Sequence, residues 1–209
     1  MPHVSAKGAE GHAMIQKLGA NSIHLCVDMQ NLFAEGTPWH TPWMKRVIPE
    51  VARLATRHPD RTIFTRFIPA DEPGQGEGAW AHYWERWSAM TLKELSPGML
   101  DLAPPLASMA PPADVLDKRF YSPWYRTDLE ARLRARGANT LIVSGAETDV
   151  CVLAAVLGAI DRGFQVIVAE DAICSSADET HDALMKVYHD RYGQQVQTGT
   201  ADEIAAVWE

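Results

Sequence analysis

Short apolar runs alternate with longer stretches of helical periodicity along most of the chain. Residues 23–28 (IHLCVD), 61–65 (RTIFT), 115–118 (VLDK), 140–144 (TLIVS) and 164–169 (FQVIVA) read as strands, and 194–198 adds a sixth. Between them, Thr41-Pro42 opens a helix with Val47, Val51 and Leu54 on one face. Thr127-Asp-Leu-Glu130 has a capping-box pattern, and its helix carries Leu129 and Leu133 and stops at Gly137. Further helices are expected after Cys151, over 179–192 and, capped by Thr200-Ala-Asp-Glu203, near the C-terminus.

The strands are apolar throughout, as in a sheet buried on both faces, and strand and helix take turns. The expectation is an α/β protein, a Rossmann-like three-layer α/β/α sandwich around a mainly parallel six-stranded sheet. One domain over 21–209 follows a loose arm over 1–20. Residues 68–112, rich in Pro, Gly and Trp, form a long, partly helical insertion of the kind that builds binding sites.

Composition narrows the function. A net charge of -8 argues against nucleic acid as a partner. No apolar run reaches the ~18–20 residues of a membrane span, and the first residues lack a signal-peptide pattern. The three cysteines at 26, 151 and 174 form no CxxC pair, which suits free thiols in a reducing cytoplasm. Eight histidines include no zinc spacing, and no metal or cofactor is expected.

In an open parallel sheet, ligands sit beyond the carboxyl ends of the strands, where strand order reverses. Three reactive residues fall at such ends: Asp28 after the first strand, Lys118 at the third, and Cys151 at the helix after the fourth. If the first and fourth strands are neighbours, Asp28 and Cys151 meet, and the long Lys118 side chain reaches in. A helix N-terminus and an ammonium about 4 Å away, worth about 4 kcal/mol at an effective dielectric of ~20, both favour thiolate. A carboxylate alongside opposes ionisation but can take the proton and return it to a leaving amine.

The segments VDMQNLF (27–33), DK (117–118), SGAETDVCV (144–152) and DAICSS (171–176) resemble those of the isochorismatase-like hydrolases. That family includes nicotinamidases and N-carbamoylsarcosine, ureidoacrylate and biuret hydrolases. The resemblance implies an Asp28–Lys118–Cys151 triad and a non-proline cis peptide at Ala146–Glu147. It also implies an oxyanion hole from the backbone N–H groups of Glu147 and Cys151, and a homo-oligomer, dimer or tetramer. Two departures narrow it. Where nicotinamidases carry an Asp-x-His metal site, this chain reads Thr65-Arg66-Phe67-Ile68-Pro69. Isochorismatases proper cleave a vinyl ether without needing the thiol, so Cys151 points to acyl transfer from a small amide, carbamoyl or ureido substrate.

Alternatives stay open at this stage. Cys151 alone reads as a core thiol, as do Cys26 and Cys174. Phe33, Trp39, Trp84 and Tyr121 are candidate substrate-binding walls, while Trp80, Tyr83, Trp84 and Trp87 at helical spacing also suit core or subunit packing. Arg66 is a candidate receiver for a substrate carboxylate or half of a structural ion pair. Gly74-Gln-Gly-Glu-Gly78 reads as a loop, His181 and His189 as structural, and Asp149 as a cap. A metabolite-binding or redox-responsive protein without turnover, or a vinyl-ether hydrolase, are the competing functions.

Overall fold

A computed structural model describes residues 15–34 and 36–209. Six strands, β1 (Ser22–Val27), β2 (Thr62–Phe67), β3 (Asp114–Lys118), β4 (Thr140–Ala146), β5 (Gln165–Cys174) and β6 (Val196–Gly199), form one sheet in the order β3-β2-β1-β4-β5-β6. Every neighbouring pair is parallel. Strand order therefore reverses between β1 and β4.

The helices are α1 (Met44–Arg57), α2 (Ala79–Arg86), α3 (Pro104–Ala107), α4 (Leu129–Ala135), α5 (Leu153–Asp161), α6 (Asp178–Asp190) and α7 (Ala201–Val207). Two apolar cores follow from the strand period of two. Leu25, Val27, Leu141 and Val143 pack with Leu129, Leu133, Val156 and Tyr188 of α4, α5 and α6. Cys26, Phe64, Ile142 and Ile167, facing the other way, pack with Val47, Val51 and Leu54 of α1 and Ile204 of α7. This is the three-layer sandwich that the continuous apolar strands predict.

Several local expectations are corrected. Pro42 lies in the turn before α1, which starts at Met44 and carries Pro49 inside it. The Thr127–Glu130 capping box does not form: Asp128 is the N-cap, the Thr127 hydroxyl donates to the Pro123 carbonyl, and Glu130 pairs with Arg134 and Arg162. The Thr200–Glu203 box does form, with each residue's backbone N–H bonded to the other's side chain. Strand β5 runs five residues beyond the apolar stretch, to Cys174, past a register shift opposite Val143 and Gly145. Of the arm expected over 1–20, residues 1–14 lie outside the described residues. Leu18 is buried and bridges to Trp208.

Gly145 fixes the approach of the two central strands. It pairs with Val27 at φ 115, and a Cβ there would stand 2.1 Å from the Val27 carbonyl oxygen. Only a residue without a side chain lets β1 and β4 close at their carboxyl ends, where the next residues of both strands carry the candidate chemistry.

Candidate active site

Asp28 follows β1 directly, with a left-handed backbone (φ 51) that turns its carboxylate off the strand line. Its N–H donates to the Thr65 carbonyl at 3.2 Å, and the Thr65 hydroxyl donates to Asp28 Oδ1 at 2.6 Å. Lys118 ends β3, two strands out from β1, and its fully buried side chain crosses β2 above the Phe67 ring. Nζ stands 2.6 Å from Asp28 Oδ2, 3.5 Å from Cys151 Sγ and 3.1 Å from the Phe120 carbonyl oxygen. Three residues separated by 90 and 33 positions in sequence thus meet at the strand-order reversal.

Cys151 sits in a π-helical turn (Thr148–Val152) that leads into α5, and the Ala146–Glu147 peptide bond before it is cis. That turn is pinned from outside. Ser175, just past β5, donates to Asp149, and Thr148 Oγ1 lies 2.8 Å from His181 Nδ1 on α6. Asp149 is therefore tied to β5 rather than acting as a simple cap. The Glu147 carboxyl is bound by the Ser176 hydroxyl and backbone.

Burial dominates the electrostatics. It pushes the Cys151 thiol well above its ordinary value, and the Lys118 ammonium pulls back less than burial and the Asp28 carboxylate push. The thiolate expected from the helix terminus is not the resting form; the sulfur is a thiol. Burial presses the Lys118 ammonium down, but Asp28 and Cys151 overcome it and hold its pKa above the ordinary lysine value. Burial raises the Glu147 carboxyl as well. The resting site is an ion pair beside a neutral thiol, the arrangement a base-assisted sulfur attack requires.

A cleft of about 690 Å³ is lined by Trp80, Trp84, Phe120, Tyr121, Tyr125 and Ala154 among others, and Phe120 links it to the buried group by accepting from Lys118 Nζ. Tyr121 meets Tyr83 edge to face at 6.2 Å, and burial raises both phenols above their ordinary values. Of the expected substrate walls, Trp84 and Tyr121 line the cleft. Phe33 and Trp39 stack on each other at 6.0 Å and are buried, with Trp39 at the centre of a ring of Phe67, Tyr83, Trp84 and Trp87. They back the cleft rather than face it. Of the two readings of Arg66, the structural ion pair holds and the substrate-binding one is corrected: its guanidinium closes on both oxygens of Asp117 at 2.7 and 2.9 Å across β2 and β3.

Residues unforeseen from sequence complete the site. Thr65 looked like one more strand position. Gln30, inside VDMQNLF, uses its carboxamide as a strand would, accepting from Phe67 N–H at 2.6 Å and donating to the Phe67 and Leu100 carbonyls. Among the described residues, no three His, Cys, Asp or Glu side chains converge as a metal-ligand group, and no helix is long and apolar enough to cross a membrane.

The isochorismatase domain family model matches residues 22–200. The maleamate amidohydrolase of Pseudomonas putida is 26% identical over 183 residues, covering 85% of this chain and 84% of that protein. The ureidoacrylate amidohydrolase RutB of Methylorubrum extorquens is 39% identical over 84 residues, 40% of this chain and 34% of that protein. In fold, a cysteine hydrolase from Pseudomonas syringae pv. phaseolicola superposes with a TM-score of 0.76 at 22% identity, over 90% of this chain and 92% of that one.

Proposed function

The chain belongs to the isochorismatase family, and from that premise we propose that it is a cysteine-dependent amidohydrolase cleaving a non-peptide C–N bond of a small molecule. The observation that carries this reading is the contact of Lys118 with both Asp28 and Cys151 in one buried group. Relatives named for the hydrolysis of maleamate and ureidoacrylate support the reaction class.

The steps follow from the resting charges. Asp28 takes the Cys151 proton as sulfur attacks the substrate carbonyl carbon, so a free thiolate never accumulates. The carbonyl oxygen becomes an oxyanion, received by the backbone N–H groups of Glu147 and Cys151; one such donor is typically worth about 10²–10³ in rate. Asp28 then gives its proton to the departing nitrogen as the C–N bond breaks, leaving a thioester. Water, deprotonated by Asp28, attacks the thioester and regenerates the thiol with release of the acid. Lys118 stays charged throughout and offsets the negative charge that moves between Asp28, sulfur and oxyanion. The aromatic walls keep bulk water from the thioester.

The test compares wild type with Cys151→Ala on a panel of amides, ureas and carbamates, with intact mass measured during turnover. The expected result is hydrolysis by wild type alone, with an acyl adduct on Cys151. Equal hydrolysis by both proteins removes Cys151 from the mechanism. Oxidised sulfur without turnover on any substrate favours a sensor.

A further inference from the structure

The turn that carries Cys151 is clamped from outside, and the steps above make no use of the clamp. Val152 N–H donates to the Glu147 carbonyl at 3.0 Å, and Leu153 N–H donates to the Thr148 carbonyl. Each bond reaches back five residues and encloses Cys151, so Thr148 anchors one end of the loop that aims the sulfur. Single π-helical turns of this kind recur at functional sites. The Thr148 side chain is fully buried, and its hydroxyl meets His181 Nδ1 at 2.8 Å.

His181 stands on a regular element. Its N–H donates to the Ala177 carbonyl at 3.2 Å and closes the first turn of α6. Beside the Thr148 contact, Asp149 accepts from Ser175, the residue after β5. Two consecutive residues ahead of Cys151 are thus held by side chains from one stretch, 175–181. The continuation of β5 past its register shift is what delivers that stretch to the turn. Without the imidazole, the Thr148 hydroxyl loses its partner in a buried position, and the cost favours a displaced turn.

We propose that His181 is a positioning residue for the nucleophile. Its hydrogen bond to Thr148 sets the turn so that Cys151 Sγ and the N–H groups of Glu147 and Cys151 meet one carbonyl at once. The imidazole itself touches no substrate. In either tautomer the pair makes one bond, the hydroxyl donating to Nδ1 or accepting from it. A misplacement on the order of 1 Å costs about 100-fold in rate. The inference rests on the hydrolase reading above, and its test includes a step that needs no turnover.

Benzaldehyde supplies that step. The sulfur of Cys151 bonds to the aldehyde carbon and the S–H proton passes to the aldehyde oxygen, giving a hemithioacetal seated like the first tetrahedral intermediate. Adduct affinity is read from loss of the carbonyl absorbance, with Cys151→Ala as the blank. Turnover is read as kcat and KM on the panel compound that wild type hydrolyses fastest. Both are measured for wild type, His181→Leu, His181→Gln and His181→Asn. Asparagine branches at Cγ as imidazole does and places its carboxamide where Nδ1 stands, whereas glutamine reaches one carbon too far. The Leu and Gln variants are expected to lose about tenfold to a hundredfold in adduct affinity and in kcat, with KM within about twofold, and Asn to recover most of both. Thr148→Val should match His181→Leu, and the two combined should lose no more than either alone. Glu179→Gln, exposed on the same turn of α6, should stay at wild type. Equal losses in the Asn, Gln and Leu variants, a loss confined to melting temperature, or independent losses from Thr148 and His181 overturn the proposal. An adduct that depends on His181 in a chain that hydrolyses nothing overturns only the hydrolase reading, and hydrolysis indifferent to His181 only this one. Neither adduct nor turnover in wild type overturns both.

Discussion

The buried pair of Asp28 and Lys118 makes a thermodynamic prediction that requires no substrate. At 2.6 Å the two charges attract by about 6 kcal/mol at an effective dielectric of ~20. Removing each ion from water costs several kcal/mol, so the intact pair is close to neutral for stability, while a lone survivor is not. Asp28→Asn is a suitable perturbation because asparagine tolerates positive φ and its carboxamide oxygen still accepts the Thr65 hydroxyl. Lys118→Met keeps the stem over Phe67 and removes only the ammonium. Each single variant should lose about 3–5 kcal/mol, against a total stability of about 5–15 kcal/mol for a domain. The double variant should lose far less than the sum, with a coupling of at least ~2 kcal/mol. Urea unfolding followed by tryptophan fluorescence would show single-variant midpoints lower by roughly 1–2.5 M at an m near 2–3 kcal/mol/M. Because the Lys118 pKa is raised, its share of stability is complete below the unfolded value of about 10.4 and fades only as pH climbs through the folded value. Single-variant losses that add to the double within ~0.5 kcal/mol would refute a directly coupled buried pair.

Two further outcomes follow from the core. His24 is buried beside Ser144, and burial pushes its pKa down to about 3. It must therefore fold neutral: it carries no penalty above the unfolded value near 6.5, and stability falls as pH drops from there toward 3, by on the order of 4 kcal/mol. Wild type and His24→Gln unfolding free energies compared from pH 7 to 4 should diverge in that sense, and parallel curves would count against it. Gly158→Ala places a Cβ 2.2 Å from Trp124 Cδ1, whose indole N–H donates to the Ala155 carbonyl at 2.9 Å. A loss of roughly 1–3 kcal/mol from overpacking is expected in thermal melts, recovered in part when Trp124 is also shortened to Leu; an unchanged melting temperature would show that the contact gives way freely.

Much of this architecture is legible in the chain because its signals are local. An apolar run of five or six residues followed by an acid or a lysine marks both a strand and the end at which a side chain leaves the sheet. Asp28, Lys118 and Cys151 were therefore visible as strand-end residues, and their convergence follows once β1 and β4 are neighbours. What failed depended on partners distant in sequence. Glu130 caps nothing because Arg162, 32 residues later, pairs with it. Arg66 is held by Asp117, its register partner on β3, 51 residues away. The balance at Cys151 was open in sequence, where a helix terminus, an ammonium and a carboxylate are readable, because depth of burial is set by every layer of the fold.

The burial-raised thiol has a chemical consequence beyond turnover. Haloacetamides and maleimides capture sulfur that is already anionic, and peroxide does the same, so all three should find this protein slow prey. Aldehydes and nitriles behave otherwise, since the S–H bond is consumed as the adduct forms and an adjacent carboxylate can carry the hydrogen across. Covalent ligands for such a pocket are best sought among electrophiles that need a proton delivered, and the enzyme in its idle state should outlast oxidants that disable cysteines kept as anions.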